Sequence, residues 1–360
     1  MDYKEKVKKL ERRRQGVSGT VAMDGLALES LEKAAALKAE AFTKIAQPES
    51  VKYAIGAMQP VDAAYTKNSF AAGDRVAARL KEGLTLPVTF EYQGSVPLDV
   101  HVRGNSDIDL LVLRSDFVTV EAAIGHHYVA FDGKSATEEL AALRTQCATV
   151  LKQKFTAVEV DDSPGKAISL SGGTLARMVD VIPSHWHDTV EWRASRNTRH
   201  RDIYVFDSKT SERIKNRPFM HIGLIQDKCS TVAGSLRKVI RLLKNLKYDA
   251  TPEIALSSYD IAALAYQMET AALTVQFGVD LLLVSRALDH LQRTVSNEAY
   301  RSSLFVPDGS RKIFDKPEKV AALKRLRDEL AALRADIYRE LTGGQALRTP
   351  EQVLARAIHL

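Results

Sequence analysis

The stretch GSVPLDVHVRGNSDIDLLVL, residues 94–113, constrains this chain more than any other. It places two carboxylates, Asp107 and Asp109, at the head of an apolar run. Residues two apart on a strand point to one face. A strand over 108–113 therefore projects the pair side by side and turns Ile108, Leu110 and Val112 into a core. Two like charges that close are costly unless something positive lies between them. The natural occupant of such an oxygen site is a divalent hard cation. Upstream, the strand-like LPVTFEY (86–92) leads into Gly94-Ser95, a turn whose backbone N–H groups and hydroxyl suit phosphate oxygens. The combination points to metal-dependent phosphoryl or nucleotidyl transfer.

In-line displacement at phosphorus with two metal ions calls for a third oxygen ligand. Asp180, in ARMVDVIPS, is the best candidate, because an aspartate within an apolar strand is costly unless paired or metal-bound. Pro183 is expected to end that strand. Asp161 and Asp162 sit at a turn and read as solvated or capping residues. Taken singly, Asp107 and Asp109 could be two exposed acids in a turn, and Asp180 could be hydrogen-bonded at a strand edge.

Hydrophobic patterning divides the rest of the chain. Helices are expected over 3–14, 28–47, 61–82 and 136–153. TAVEVDD (156–162), KAISLS (166–171), LARMVDVIPSHW (175–186) and HRDIYVF (200–206) read as strands of one mixed sheet. From 219 the pattern is helical, over 219–248, 258–276, 280–298, 316–342 and 350–359, with the VPDGS cluster (306–310) as a turn. The expected organisation is an N-terminal helical segment (1–60), a catalytic core (61–207) and a C-terminal helical domain (208–360), an α+β fold.

Cys147 and Cys229 lie in apolar helical segments without Cys-His ligand spacing, which disfavours a zinc site and favours a reducing cytosol. The charged start MDYKEKVKKLERRRQG is no secretory signal, and no apolar run approaches 18 residues, so a cytoplasmic protein is expected. The net charge of +6 suits anionic substrates such as nucleotides. The basic runs LERRRQG (10–16) and WRASRNTRHR (192–201) read as exposed, solvated loops rather than a nucleic-acid surface.

With these residues in view, the chain resembles the polymerase-β type of nucleotidyltransferase, and more closely the bacterial cGAS/DncV-like nucleotidyltransferases (CD-NTases). RGNSDIDLLV resembles that family's R-G-x-S-D-x-D block, IRLLKNLK (240–247) its lysine-bearing helix, and SSYD (257–260) the Ser-Ser-Tyr that opens the next helix. The resemblance spans about 85–280. It implies a bilobal fold with a mixed-sheet core, N-terminal helices and a C-terminal helical bundle. It implies that Gly94 and Ser95 bind triphosphate oxygens. Asp107, Asp109 and Asp180 would hold two Mg²⁺ ions, with Mn²⁺ as a substitute, and Asp180 would help activate the attacking hydroxyl. Lys244 and Ser258 would reach the donor's β- and γ-phosphates, and Tyr259 would stack on a nucleobase. Read without the family, Lys244 could equally be a surface lysine, Ser258 a helix N-cap and Tyr259 a core residue. Arg103 and Ser106 could orient the active-site loop, though a purely structural role is the favoured reading for both.

The implied activity joins NTPs, ATP among them, into a cyclic di- or trinucleotide second messenger of antiphage defence. Some relatives are switched on by partners such as HORMA-domain proteins. The zinc-binding insertion of the animal enzyme is absent between Asp180 and Lys244, and tandem basic stripes for a nucleic-acid activator are lacking. Two other functions stay open at this stage. One is a nucleotidyltransferase that tails RNA or modifies a small molecule, which the Lys244 and Ser258-Tyr259 pattern disfavours. The other is a catalytically silent nucleotide- or nucleic-acid-binding scaffold, which the intact Asp107, Asp109 and Asp180 disfavour.

Overall fold

The computed structural model describes residues 3–15, 47–124, 133–345 and 348–357. The helix expected over 28–47 lies outside the described residues except for Gln47, which is in a bend. Three helices lead in: α1 (Tyr3–Gln15), α2 (Glu49–Met58) and α3 (Ala63–Gly83), the last capped by Asp62, whose carboxylate accepts from Ala64 N and Tyr65 N. Next come β1 (Val88–Gln93), β2 (Ile108–Val120), α4 (Ala136–Lys154), β3 (Glu159–Asp161), β4 (Ile168–Ser171) and β5 (Val179–Asp188). A short α5 (Val190–Ser195) precedes the hairpin of β6 (Asp202–Asp207) and β7 (Glu212–Asn216). The remainder is helical: α6 (Pro218–Thr231), α7 (Ser235–Asp249), α8 (Ser258–Tyr266), α9 (Thr270–Leu273), α10 (Leu282–Ser296), α11 (Glu298–Ser303), α12 (Pro317–Thr342) and α13 (Pro350–Leu354).

The strands form one mixed sheet in the order β1-β2-β5-β4-β3, with β6 and then β7 continuing from β5. Only β2 and β5 run parallel, and this pair matters most to the site, because it sets Asp109 opposite Asp180. Ile108, Leu110 and Val112 are buried against α3 and α4, as the alternation predicts. The other face is buried too: Leu111, Leu113 and Ile182 pack with Trp186, Ile203 and Val205. Along that second face, apolar residues give way to carboxylates as β2 is followed from Leu113 back to Asp109.

Pro183 does not end its strand, which continues to Asp188. On one side of β5 the pairing with β4 stops at Val181 and the pairing with β6 starts at Ser184. Pro183 falls in the interval between these neighbours, so no ladder on that side is broken by its missing N–H. The hydrophobic period over 219–248 hides a break between α6 and α7, where Ala233 and Gly234 take left-handed backbone. The expected helix 258–276 likewise divides into α8 and α9, and that over 350–359 stops at Leu354. Strand β7, reading ERIKN, is too polar to have been foreseen.

The first basic run is no solvated loop, whereas the second is exposed from Arg193 to Thr198, as expected, though folded rather than a loop. In the first, Leu10 and Arg13 are buried, and α1 packs Tyr3, Val7 and Leu10 into the same core as α7, α8, α10 and α12. The second folds into α5 and a 3-10 turn, with Arg201 lying over both Trp186 and Trp192 and bonded to Asp188. Cys147 and Cys229 are buried free thiols, as expected.

A buried network ties α1 to α7. Arg13 donates to Asp249 (2.7 and 3.1 Å) and to Asn245 Oδ1 (2.7 Å), and Tyr53 donates to Asp249 (2.8 Å). Asp249 has no exposed side-chain surface. Removing one partner of such a pair strands the other charge in the interior. Asp249→Ala should therefore destabilise the fold by about 3 kcal/mol, read from the midpoint of denaturant unfolding.

Candidate active site

The site is built on the left-handed turn that leaves β1. Gly94 has φ +83°, and a Cβ there would lie 2.0 Å from Asp109 Oδ2. Glycine is thus required twice, for the backbone and for the approach of the carboxylate. The turn closes through Val100 N to Ser95 O (3.0 Å). The chain then loops through 101–107 into β2, and this loop is held by Val102 N donating to Ser106 Oγ (2.9 Å). Arg103 is buried, with its guanidinium 4.6 Å from the Tyr65 ring centre.

A cavity of about 410 Å³ opens over this turn, between the sheet and the C-terminal helices. Gly94, Ser95, Asp107, Asp109, Lys244, Ser258 and Tyr259 all line it. Asp180 is absent from the wall but adjoins the pair: it lies opposite Asp109 in the parallel register and shares a hydrogen bond with Asp107. The structure therefore brings all the sequence-derived candidates to one place.

Electrostatics at the floor are unfavourable without a cation. Burial, then Asp107 and Asp180, push the Asp109 carboxyl up to about 8, with Lys244 opposing. Asp180 is also raised, first by burial, against the pull of Ser169 Oγ, which donates to its Oδ1 at 2.6 Å. Among the described residues, no three His, Cys, Asp or Glu side chains stand in a ready ligand arrangement; Asp180 is engaged with Asp107 and Ser169 instead. The chemistry of the set still fits a hard divalent ion: three crowded carboxylates, all oxygen donors, with the proton affinity of Asp109 and Asp180 raised.

Lys244 is no surface lysine. It is 1 % exposed, and its Nζ donates to Val100 O at 2.8 Å. Burial and neighbouring Lys247 pull its pKa down to about 7, while Asp107 and Asp109 hold it up. The N-cap of α8 is Ser257, whose Oγ accepts from Asp260 N (3.0 Å). Ser258 is thereby left to face the cavity, 3.3 Å from the Tyr248 hydroxyl. Tyr259 is half-buried rather than core. Its hydroxyl donates to Asp308, and its ring stacks on His221 with centroids 4.2 Å apart.

Tyr248, His221, Asn105 and Asn216 also line the cavity and were not anticipated. Tyr248 had a signal, since it lies four residues after Lys244 on one helix face. Its hydroxyl donates to Asn105 O at 3.2 Å. His221 carried none, because nothing in the helix expected over 219–248 shows which of its faces meets the cavity. Burial pulls its pKa down to about 4, so its ring is neutral at pH 7.

Comparison with known proteins agrees with this geometry. Residues 224–335 match the family model described as the cGAS/DncV-like nucleotidyltransferase C-terminal helical domain. The cyclic dinucleotide synthase CdnE of Yersinia aleksiciae is 35% identical over 357 residues, covering 95% of this chain and 93% of that protein. A c-di-GMP synthase from Capnocytophaga granulosa is 31% identical over 309 residues, 80% of this chain and 87% of that one. The solved structure of the STING-associated CdnE c-di-GMP synthase from Capnocytophaga granulosa superimposes with a TM-score of 0.75 at 27% identity, covering 94% of this chain and 99% of that one.

The crowded floor has a consequence for stability. An aspartate raised from 3.8 to about 8 takes up a proton on folding throughout that interval. Metal-free stability therefore falls as pH rises from about 4 through about 8, because the unfolded chain binds fewer protons than the native one. Asp109→Asn should raise the melting temperature of the metal-free protein at pH 8 and change it little at pH 4. A thermal melt in chelator at the two pH values checks this.

Proposed function

The chain belongs to the cGAS/DncV-like nucleotidyltransferases, and on that footing we propose that it joins two nucleoside triphosphates into a cyclic dinucleotide second messenger. The observation that carries the proposal is the parallel β2–β5 register, which sets Asp109 beside Asp180 and leaves Asp107 at the cavity floor under the Gly94-Ser95 turn. The fold of an RNA-tailing enzyme or an inert scaffold would not demand Lys244 and Ser258 in the same cavity.

The roles proposed for the residues follow from what each can do. Asp107, Asp109 and Asp180 would hold two Mg²⁺ ions, or Mn²⁺ in their place. When bound, the ions would offset the charge of the carboxylates and the triphosphate and make the acceptor's ribose hydroxyl more acidic. Ser95 and the backbone N–H groups of its turn orient the donor triphosphate oxygens. Lys244, fixed by Val100, places a cation where β- and γ-phosphate charge gathers, and bound phosphate raises its proton affinity above the value in the empty cavity. Ser258 adds a hydroxyl to the same oxygens, and Tyr259 supports a nucleobase. Asp180, whose proton affinity burial raises against the pull of Ser169, would help activate the attacking hydroxyl by receiving its proton. The hydroxyl oxygen bonds to the α-phosphorus, the bond from that phosphorus to the β-phosphate bridge breaks, and pyrophosphate departs. A second such reaction between the two nucleotides closes the ring.

The finer proposal is that the product contains guanine. Three curated relatives, between 25% and 31% identical, are named c-di-GMP synthases. The cyclic product would act on a separate effector protein in antiphage defence. A solved complex with the same fold, titled as CdnC with HORMA, makes a HORMA-type regulator the first candidate for a protein partner. No helix among the described residues is long and apolar enough to cross a membrane, in keeping with the proposed cytoplasmic site of action.

Two outcomes test this. The double substitution Asp107→Asn with Asp109→Asn should abolish product formation and leave the circular dichroism spectrum unchanged; retained turnover would remove the carboxylates from the mechanism. Incubation of the purified protein with the four NTPs and Mg²⁺, followed by phosphatase and mass spectrometry, should yield a phosphatase-resistant cyclic dinucleotide containing guanine. A ladder of RNA tails in the same reaction would point to the RNA-tailing alternative.

A further inference from the structure

Three segments remote in sequence meet behind the cavity wall that carries Tyr259. The first is the junction of β7 and α6, where Asn216 and Pro218 line the cavity while Arg217 between them turns away from it. The second is the first turn of α8, with Tyr259. The third is the turn at 306–310, closed by Gly309 N donating to Val306 O (2.9 Å) and Ser310 N donating to Asp308 Oδ1 (2.8 Å). Arg217 joins the sheet to this turn: its Nε donates to Asp202 Oδ1 at 3.0 Å, and its Nη1 donates to Asp308 O at 3.1 Å. Asp308 then reaches Tyr259 with its other carboxylate oxygen, accepting from the tyrosine hydroxyl. Asp202 is 1 % exposed and Asp308 6 %, so both ends of the link are dry.

We propose that Arg217 and Asp308 are positioning residues for nucleotide binding, acting through the Tyr259 hydroxyl to hold its ring where a nucleobase can lie against it. The proposal rests on the cavity being the nucleotide site. Sequence reasoning treated 306–310 only as a turn and Arg217 not at all. The physical argument is one of prior ordering. A tyrosine held only by van der Waals contact with His221 can swing about its side-chain torsions, and a ligand must then pay for fixing it. Tied at its hydroxyl to a carboxylate that is itself fixed to the sheet, the ring is set before the nucleotide arrives. The hydroxyl stays protonated, because burial and Asp308 push its pKa well above the ordinary tyrosine value. Charge-assisted bonds of this kind are stronger than neutral ones.

A double-mutant cycle separates positioning from mere structure. Tyr259→Phe keeps the ring and removes the hydroxyl; Asp308→Ala removes its acceptor. Each single variant should raise KM for NTP, and the Kd of a non-hydrolysable NTP analogue, by about tenfold, with kcat within about twofold of wild type. The double variant should be no weaker than the weaker single, because both remove one interaction. Arg217→Lys, which keeps the charge but loses the two-ended link, should fall between wild type and Asp308→Ala. Effects that multiply to about a hundredfold in the double variant would overturn the proposal, as would unchanged KM and Kd in Tyr259→Phe. Melting temperatures are recorded alongside; if Asp308→Ala does not fold, the KM and analogue Kd of Tyr259→Phe and Arg217→Lys carry the test. Wild-type protein that binds no NTP analogue would overturn the nucleotide site itself, whereas normal wild-type binding with unaffected variants overturns only the positioning.

Discussion

Carboxylate crowding governs this molecule. Asp107, Asp109 and Asp180 are brought together by the backbone, through the parallel pairing of β2 with β5. The surrounding structure can be understood as what makes that pairing tolerable. Both faces of β2 and β5 are buried in apolar clusters, which fixes the register against a one-residue slip. Ser169 donates to Asp180, Lys244 stands across the cavity, and Gly94 yields the space that Asp109 occupies. The remaining imbalance shows as the raised proton affinity of Asp109 and Asp180.

The lysine is the point where the two halves of the molecule depend on each other. Its helix, α7, presents Lys244 to the cavity and the next residue, Asn245, to the Arg13–Asp249 network on its far side. Arg241, one turn earlier, donates to the carbonyls of Asp99 and Met58. A single helix thus bonds to the first helix, to the second, and to the loop behind the Gly94-Ser95 turn. A buried polar network of this kind adds less to stability than to specificity of arrangement. Here the arrangement is the placing of Lys244 relative to the carboxylates.

Much of this was legible because its physics is local. Two aspartates at a two-residue spacing followed by alternating apolar residues define a strand and a face without any partner being known. Gly94-Ser95 announces a turn by composition alone. Asp180 could be picked out because an aspartate in an apolar strand needs a reason. What could not be read depends on partners distant in the chain. Pro183 was taken as a stop because the gap between β4 and β6 is a property of the assembled sheet. Ser257 and Ser258 are chemically the same residue, and only the helix start decides which one caps and which faces the cavity. The basic runs looked solvated because the partners of Arg13 and Arg201, Asp249 in one case and two tryptophans in the other, are not visible as partners in the sequence. Strand β7 has no apolar pattern to find, and with it went Arg217 at its end; His221 sits in an expected helix whose cavity-facing side only the assembled fold reveals.

Gly94 carries a consequence for how this protein can change over time. Most positions in a catalytic loop can drift through intermediates of similar size, but this one has no neighbour to drift to. Even the smallest side chain would collide with the carboxylate of Asp109. The constraint runs one way: Gly94 cannot be replaced while the carboxylate of Asp109 is kept, whereas Asp109 can be replaced while Gly94 stays. A descendant that abandons the chemistry would be free to fill the space at 94 only after shortening or losing the acid at 109. An alanine or serine at 94 in a descendant would then record that the carboxylate at 109 had already gone.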